Sequence, residues 1–243
     1  SQTSLPATIQ TVNLAGEALP KALASRLYEL PHIQRVYNLY GPSEDTTYST
    51  AILVQRDSTA PITIGKPIHG TQAFVLNAKG QRLPFEVKGE LYLSGKGIAN
   101  GYINRPTETA EKFSLSQIDH KALTLYKTGD LVSRTAQGEL IYHGRTDQQI
   151  KINGLRIEPG EIEYQLTQVP TVTAGKVVCA SQTGKSTLVA FVQSDEPDEQ
   201  LIPAIKAHLL ETLPHAWLPD KIVPLTAFPT LPNGKTDGNA LLD

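Results

Sequence analysis

Residues 126–163 read YKTGDLVSRTAQGELIYHGRTDQQIKINGLRIEPGEIE, and the order of glycines, charges and apolar pairs in this stretch decides the reading of the chain. An acidic residue follows a glycine turn at Gly129 and Asp130, a strand pair surrounds TAQG, and Gly144, Arg145 and Asp147 form a second charged corner. A further glycine turn at Gly154 comes before a helix start at Pro159 and Glu161. Glycine permits bends that other residues resist, and loops that set charge beside such bends often serve ligands. Any one of these corners alone reads as a surface hairpin. Their order and spacing together point to a binding surface.

Upstream, residues 8–16 (TIQTVNLAG) alternate and then turn apolar before glycine, as a strand entering a buried sheet does. Leu19, Leu23, Leu27 and Leu30 recur at helical spacing, with Pro20 tolerated in the first turn, and residues 33–39 form a second short strand. A strand, helix, strand unit of this kind builds a parallel sheet covered by helices. The loop YGPSEDTT, residues 40–47, follows the second strand, where open α/β sheets bind ligands. It carries an aromatic ring, a glycine, hydroxyls and the Glu44 carboxylate; its structural alternative is a Pro-Gly turn capped by Ser43.

Residues 48–143 are broken at short intervals by Gly, Asn and Pro, which predicts an antiparallel barrel or small sandwich. Thr107 is placed to cap a short helix over 107–113. Downstream, the pattern predicts a hairpin over 149–157 around Asn153 and Gly154, a helix from Pro159, and strands at 173–180 and 186–193. A helix over 198–213 should bury Ile202, Ile205, Leu209 and Leu213. The fold class is therefore α/β plus α+β. Residues 1–147 read as part of a large lobe, a parallel sheet with helices and an antiparallel barrel-like subdomain. Residues 148–243 read as a small α+β lobe.

Composition excludes several classes. The 243 residues carry 40% hydrophobic side chains and a net charge of −2, leaving no basic excess for a nucleic-acid backbone. No apolar run approaches the ~20 residues of a membrane span, and the first ten residues lack a signal-peptide layout. A lone cysteine, Cys179, makes no internal disulfide, which fits a reducing, cytoplasmic setting. Three tempting signals fail. GKG at 95–97 lacks the third glycine of a dinucleotide fingerprint at Asn100, and the GKS at 184–186 has Cys179 where a phosphate loop needs glycine. The six histidines show no pair at metal-ligand spacing.

YKTGDL, GRTDQQIKINGLRIEPGEIE and, upstream, NLYGPSE resemble core motifs of the adenylation domains of nonribosomal peptide synthetases, within the adenylate-forming family that includes acyl-CoA ligases and luciferases. The similarity runs from about Asn13 to the C-terminus, with several motifs in family order. It implies activation of an amino acid with Mg-ATP to aminoacyl-AMP, then transfer to the phosphopantetheine thiol of a peptidyl carrier protein. By resemblance, Tyr40 lies against adenine with Gly16 opposite, Asn38 meets the base edge, and Asp130 accepts from the ribose hydroxyls. Ser43 stands where the family has Thr, Tyr142 flanks the nucleotide, and Arg145 serves its ribose or phosphate side. Glu44 is the Mg2+ carboxylate, Lys235 the catalytic lysine, Asp147 the hinge of the mobile small lobe, and Gly154 the pantetheine-side turn. Asn13, Ala15, Leu39, Thr47 and Tyr48 line the acyl pocket.

The chain also departs from the family. Gly238 replaces a usual Arg, and no segment matches the phosphate-gripping Gly/Ser/Thr loop. The resemblance thus implies an N-terminal remainder of the domain as a partner and little activity for these residues alone, and it admits a small helper protein. Two alternatives stay open: an acyl- or aryl-CoA ligase on the same fold, and a non-catalytic piece that only docks carrier or helper proteins.

Overall fold

Apolar alternation in TVNL and RVYNLY produces two strands, β1 (Thr11–Leu14) and β2 (Arg35–Tyr40), which pair in parallel with Asn13 beside Tyr37 and Leu14 beside Asn38. The computed structural model describes residues 5–56, 60–146, 150–152, 155–182, 185–194, 196–230, 236–238 and 240–242. The chain divides into two compact units, Ser1–Asp147 and Gln148–Asp243.

In the first unit, helix α1 (Lys21–Tyr28) returns the chain between β1 and β2, as the βαβ pattern requires. Pro20 is its N-cap rather than a first-turn residue. Its buried positions are Ala24 and Tyr28, whereas Leu23 is exposed, so the leucine spacing marked the helix but not its whole inner face. Tyr28 anchors α1 through its hydroxyl, which donates to Val54 O at 2.6 Å and accepts from Val36 N at 3.0 Å. Strands β3 (Thr50–Leu53) and β4 (Lys66–Pro67) extend the sheet in antiparallel sense, giving the order β1-β2-β3-β4.

The following strands are β5 (Thr71–Leu76), β6 (Gly89–Gly95), β7 (Phe113–Ile118), β8 (Lys121–Arg134) and β9 (Leu140–Arg145), with helix α2 (Pro106–Lys112) before β7. They form an antiparallel sheet, β5-β6-β8-β7, with β9 on β8. A bridge between Gly65 and Leu140 joins β9 to the turn before β4, linking this sheet to the first. Tyr40, Ile64, Leu91, Leu93, Val132 and Leu140 close over one another on its inner side. Helix α2 starts with Pro106 at its first position after Arg105, so Thr107 lies inside the helix and does not cap it.

Among its described residues the second unit is built as the sequence pattern indicates, with a 3₁₀ turn at His215–Trp217 and a further strand added. Strands β10 (Ile150–Ile152) and β11 (Leu155–Ile157) form a hairpin, and helix α3 (Pro159–Thr167) follows. Strands β12 (Ala174–Gln182) and β13 (Lys185–Gln193) pair antiparallel, and helix α4 spans Asp198–Thr212. Strand β14 (Lys221–Leu225), absent from the sequence reading, joins β13 in parallel. Helix α4 buries Ile205 and Leu209, and Leu213 just beyond it is buried too, as expected; Leu201 takes the place expected for Ile202. These side chains and Ile157, Ile162 and Leu166 form one apolar core.

Candidate functional site

Asp130 does not follow a turn. It sits inside the continuous strand β8, whose register against β6 shifts: Lys127 faces Tyr92 and Leu131 faces Glu90, so residues 128–130 stand against Leu91 alone, and Gly129 has φ 77°. This is a β-bulge of the larger kind: two extra residues kink β8 and re-aim a side chain, and the left-handed glycine supplies the backbone angle. Hence a Gly-Asp pair that reads as a turn in sequence is a device for pointing a carboxylate inward.

The bulge is over-determined. The Asp130 N–H bonds Thr128 Oγ1 at 3.0 Å, and that hydroxyl donates to Leu91 O at 2.8 Å. From β9, directly opposite, Arg145 donates from Nη1 to Asp130 Oδ1 at 2.7 Å and from Nη2 to Thr128 O at 3.0 Å. The Tyr40 hydroxyl, arriving from the end of β2, donates to Asp130 Oδ2. Asp130 is 2% exposed and Tyr40 is buried. Burial, followed by the Asp130 charge, pushes the Tyr40 phenol well above its usual range, so it remains a protonated donor. Three residues distant in sequence thus meet in one buried charged cluster. Tyr142 packs against the apolar cluster that contains Tyr40.

Immediately after β2 the chain makes a one-turn 3₁₀ helix, Ser43–Asp45, which carries Glu44. Tyr102 donates its hydroxyl to Glu44 Oε1 at 2.6 Å, and Ala99 N–H bonds Glu44 O at 2.8 Å. Thr46 and Thr47 follow at φ 48° and 81°, angles that β-branched residues seldom adopt. Such backbone persists only where surroundings enforce it. Here Thr46 Oγ1 donates to Gly97 O at 2.7 Å and Ser49 N–H bonds Tyr40 O at 2.7 Å. A side chain at Gly97 would start 2.6 Å from Asp45 Oδ1, so the connection after β6 needs glycine there for close approach. The segment GELYLSGKGIANGY is in this sense the clamp on the Glu44 loop.

The residues expected to line the acyl pocket and to meet the nucleotide separate by face. Strand register places Asn13 with Tyr37 and, two residues on, Leu39 on one side of the first sheet, while Asn38 and Tyr40 take the other. Ala15 follows β1, and Gly16 has φ 95°. Thr47 and Tyr48 are exposed, as is Ser43. Asn38 is buried and its Nδ2 donates to Thr63 O at 2.8 Å, so its amide is turned into the body of the unit. Lys235, Asp147 and Gly154 lie outside the described residues. The sequence reading gave no role to Tyr102 or Thr128, which hold the two carboxylates; Thr128 stands two residues from Asp130 inside YKTGDL and could have been found there, whereas Tyr102 acts on Glu44, 58 positions away. Among the described residues no group of three or more His, Cys, Asp or Glu side chains is placed to hold a metal.

With this geometry in view, the likeness to known proteins has clear content. Residues 1–103 match the AMP-binding enzyme family. A linear gramicidin synthase of Brevibacillus parabrevis is 44% identical over 241 residues, which are 98% of this chain but 5% of that protein. Among solved structures, holo-PA1221, an NRPS protein containing adenylation and PCP domains bound to a vinylsulfonamide inhibitor, has TM-score 0.84 at 29% identity. That likeness covers 96% of this chain and 40% of PA1221. The Vibrio cholerae adenylation domain AlmE, in complex with glycyl-adenosine-5'-phosphate, has TM-score 0.79 at 29% identity, covering 96% of this chain and 44% of AlmE. The chain therefore spans less than half the length of each of these relatives.

Proposed function

Because the chain belongs to the AMP-binding, adenylate-forming enzyme family, we propose that it works within an adenylation domain of nonribosomal peptide synthesis. In this reading it activates an amino acid with Mg-ATP and passes the acyl group to the phosphopantetheine thiol of a peptidyl carrier protein. The observation that carries the reading is the buried Asp130, held between Tyr40 and Arg145 beside the loop that bears Glu44. The relatives support it, one pairing adenylation with PCP domains and the other holding glycyl-adenosine-5'-phosphate.

A carboxylate has about four lone-pair sites, so Asp130 can accept ribose hydroxyls beyond its bonds to Tyr40 and Arg145. At 2% exposure it is closed to a ribose while the Tyr40 hydroxyl covers Oδ2. Nucleotide binding exchanges that hydroxyl for ribose hydroxyls and leaves the Tyr40 ring to lie along the adenine, with Gly16 on its other side. Asn38 turns from Thr63 O to meet the base edge. Arg145, always charged and fork-shaped, keeps its guanidinium toward the ribose and phosphates. Asn13, Ala15, Leu39, Thr47 and Tyr48 contact the amino acid.

Glu44 fits a magnesium ion by its chemistry: it presents a hard carboxylate on a loop fixed from two sides, next to the Ser43 hydroxyl. Magnesium keeps several waters and substrate phosphate oxygens, so a single protein carboxylate suffices. The ion when bound supplies charge neutralisation at the phosphates. The amino-acid carboxylate oxygen attacks the α-phosphorus, its new P–O bond forming as the bond to pyrophosphate breaks. Lys235 stabilises charge on the carboxylate and α-phosphate oxygens. The small lobe then turns about Asp147 and brings the Gly154 hairpin to the pantetheine arm.

Amino-acid-dependent exchange of pyrophosphate into ATP by the intact protein tests this. One amino acid should support exchange and then label a phosphopantetheinylated carrier protein but not free CoA. Lys235→Ala should lower exchange at least ~100-fold while ATP affinity changes little. Exchange independent of any amino acid, transfer to CoA alone, or a wild-type rate in the lysine variant would overturn the reading.

A further inference from the structure

Glu44 is gripped by Tyr102, the last residue of GELYLSGKGIANGY, to which the sequence reading gave no role at the site. The Tyr102 hydroxyl meets Glu44 Oε1 at 2.6 Å, a short, charge-assisted bond to a side chain that is 7% exposed. Tyr102 is itself held from three sides. Its N–H bonds Thr109 Oγ1 on α2 at 2.9 Å. A side chain at the preceding Gly101 would start 2.4 Å from the same threonine, so this turn closes tightly on the helix. Its ring meets Phe113 edge-on, with centroids 5.5 Å apart and an interplanar angle of 72°.

Phe113 in turn lies 5.0 Å from the ring of Tyr126, which is buried in β8 four residues before Asp130. Tyr102, Phe113 and Tyr126 therefore make a continuous aromatic strut between the loop that carries Glu44 and the strand that carries Asp130. Interiors are close-packed, and rings in contact transmit position.

Resting on the adenylation reading above, we infer that Tyr102 is a positioning residue for the metal–nucleotide complex, fixing the rotation of the Glu44 carboxylate while the strut keeps Glu44 in register with Asp130. The role assigned to the hydroxyl runs through the carboxylate it bonds, Glu44. Partners of this kind behind a metal ligand commonly carry 10–100-fold in metal affinity.

The test uses the intact protein and Tyr102→Phe, which keeps the ring and its packing. Binding of Mn2+ is followed by electron paramagnetic resonance with a non-hydrolysable ATP analogue. Affinity for the analogue without metal and the melting temperature are measured in parallel. The inference expects Mn2+ to bind about 10-fold more weakly in Tyr102→Phe, with metal-free analogue affinity within ~2-fold and melting within ~2 °C. Phe113→Leu, which keeps the hydroxyl but breaks the strut, should weaken Mn2+ binding by a smaller factor in the same direction. Unchanged Mn2+ affinity in Tyr102→Phe overturns the inference, as does an equal loss of metal-free analogue binding. A wild-type protein that binds the analogue yet recruits no Mn2+ overturns this inference alone, whereas one that binds no analogue also overturns the adenylation reading.

Discussion

The two compact units of this chain bury different chemistry. Among the described residues, ten buried polar side chains, from Asn38 to Ser133, fall within Ser1–Asp147, whereas Gln148–Asp243 has one, Ser194. The second unit instead closes on Ile157, Ile162, Leu166, Leu201, Ile205 and Leu209. Buried charges cost stability unless paired and hydrogen-bonded, and apolar cores carry no such cost. The difference teaches a division of labour. The first unit packs around buried carboxylates, while the second closes on an apolar core.

Asp130→Asn should break this contrast hardest. Two charge-assisted bonds of about 1.5–3 kcal/mol each are at stake, so ATP affinity by calorimetry should fall at least ~100-fold. The Arg145 side chain, 8% exposed, would lose its charged partner, and the melting temperature should drop as well. Unchanged ATP affinity would remove Asp130 from the nucleotide site.

Ile205→Ala tests the apolar side. Ile205 is fully buried, and its truncation should destabilise the second unit by about 2–5 kcal/mol while leaving ATP affinity within ~2-fold. A matching loss of nucleotide binding would mean that the units do not divide their tasks in this way.

The smallest effect sharpens the comparison from within the first unit. Asp45 is 2% exposed, and burial raises its pKa above the usual 3.8, against an opposing pull from the Ser49 and Thr71 hydroxyls. Neither hydroxyl reaches hydrogen-bond geometry with the carboxylate. A raised folded pKa means that the contribution to stability is present below about 3.8 and is lost as pH rises through the folded value. At pH 7 the ionised group is therefore a burden. Asp45→Asn should raise the melting temperature at pH 7 by on the order of 2 °C and leave it unchanged near pH 3. Destabilisation at pH 7 would show that the charge is satisfied in the folded protein.

Much of the architecture was legible because it rests on local period and turn chemistry. The β1-α1-β2 unit, the β12–β13 pair and the hairpin over residues 150–157 each follow from alternation, helical spacing or an Asn-Gly turn. Strand β14 was not legible, because KIVPL contains Pro224 and lies after a long helix, and its pairing with β13 is settled only by the sheet it completes. Gly129 and Asp130 misled for a related reason. A left-handed glycine serves a turn and a bulge equally well, and only the partner strand β6 tells them apart.

The order of residues alone set most of the strands and helices and carried the resemblance to adenylation domains. Tertiary structure decided how those side chains are held: that Asp130 points inward from a bulge under Tyr40 and Arg145, and that Glu44 is clasped by Tyr102 from 58 positions away. The reason is physical. Backbone propensity acts over a few neighbours, whereas the orientation of a buried carboxylate depends on donors that only folding brings within about 3 Å.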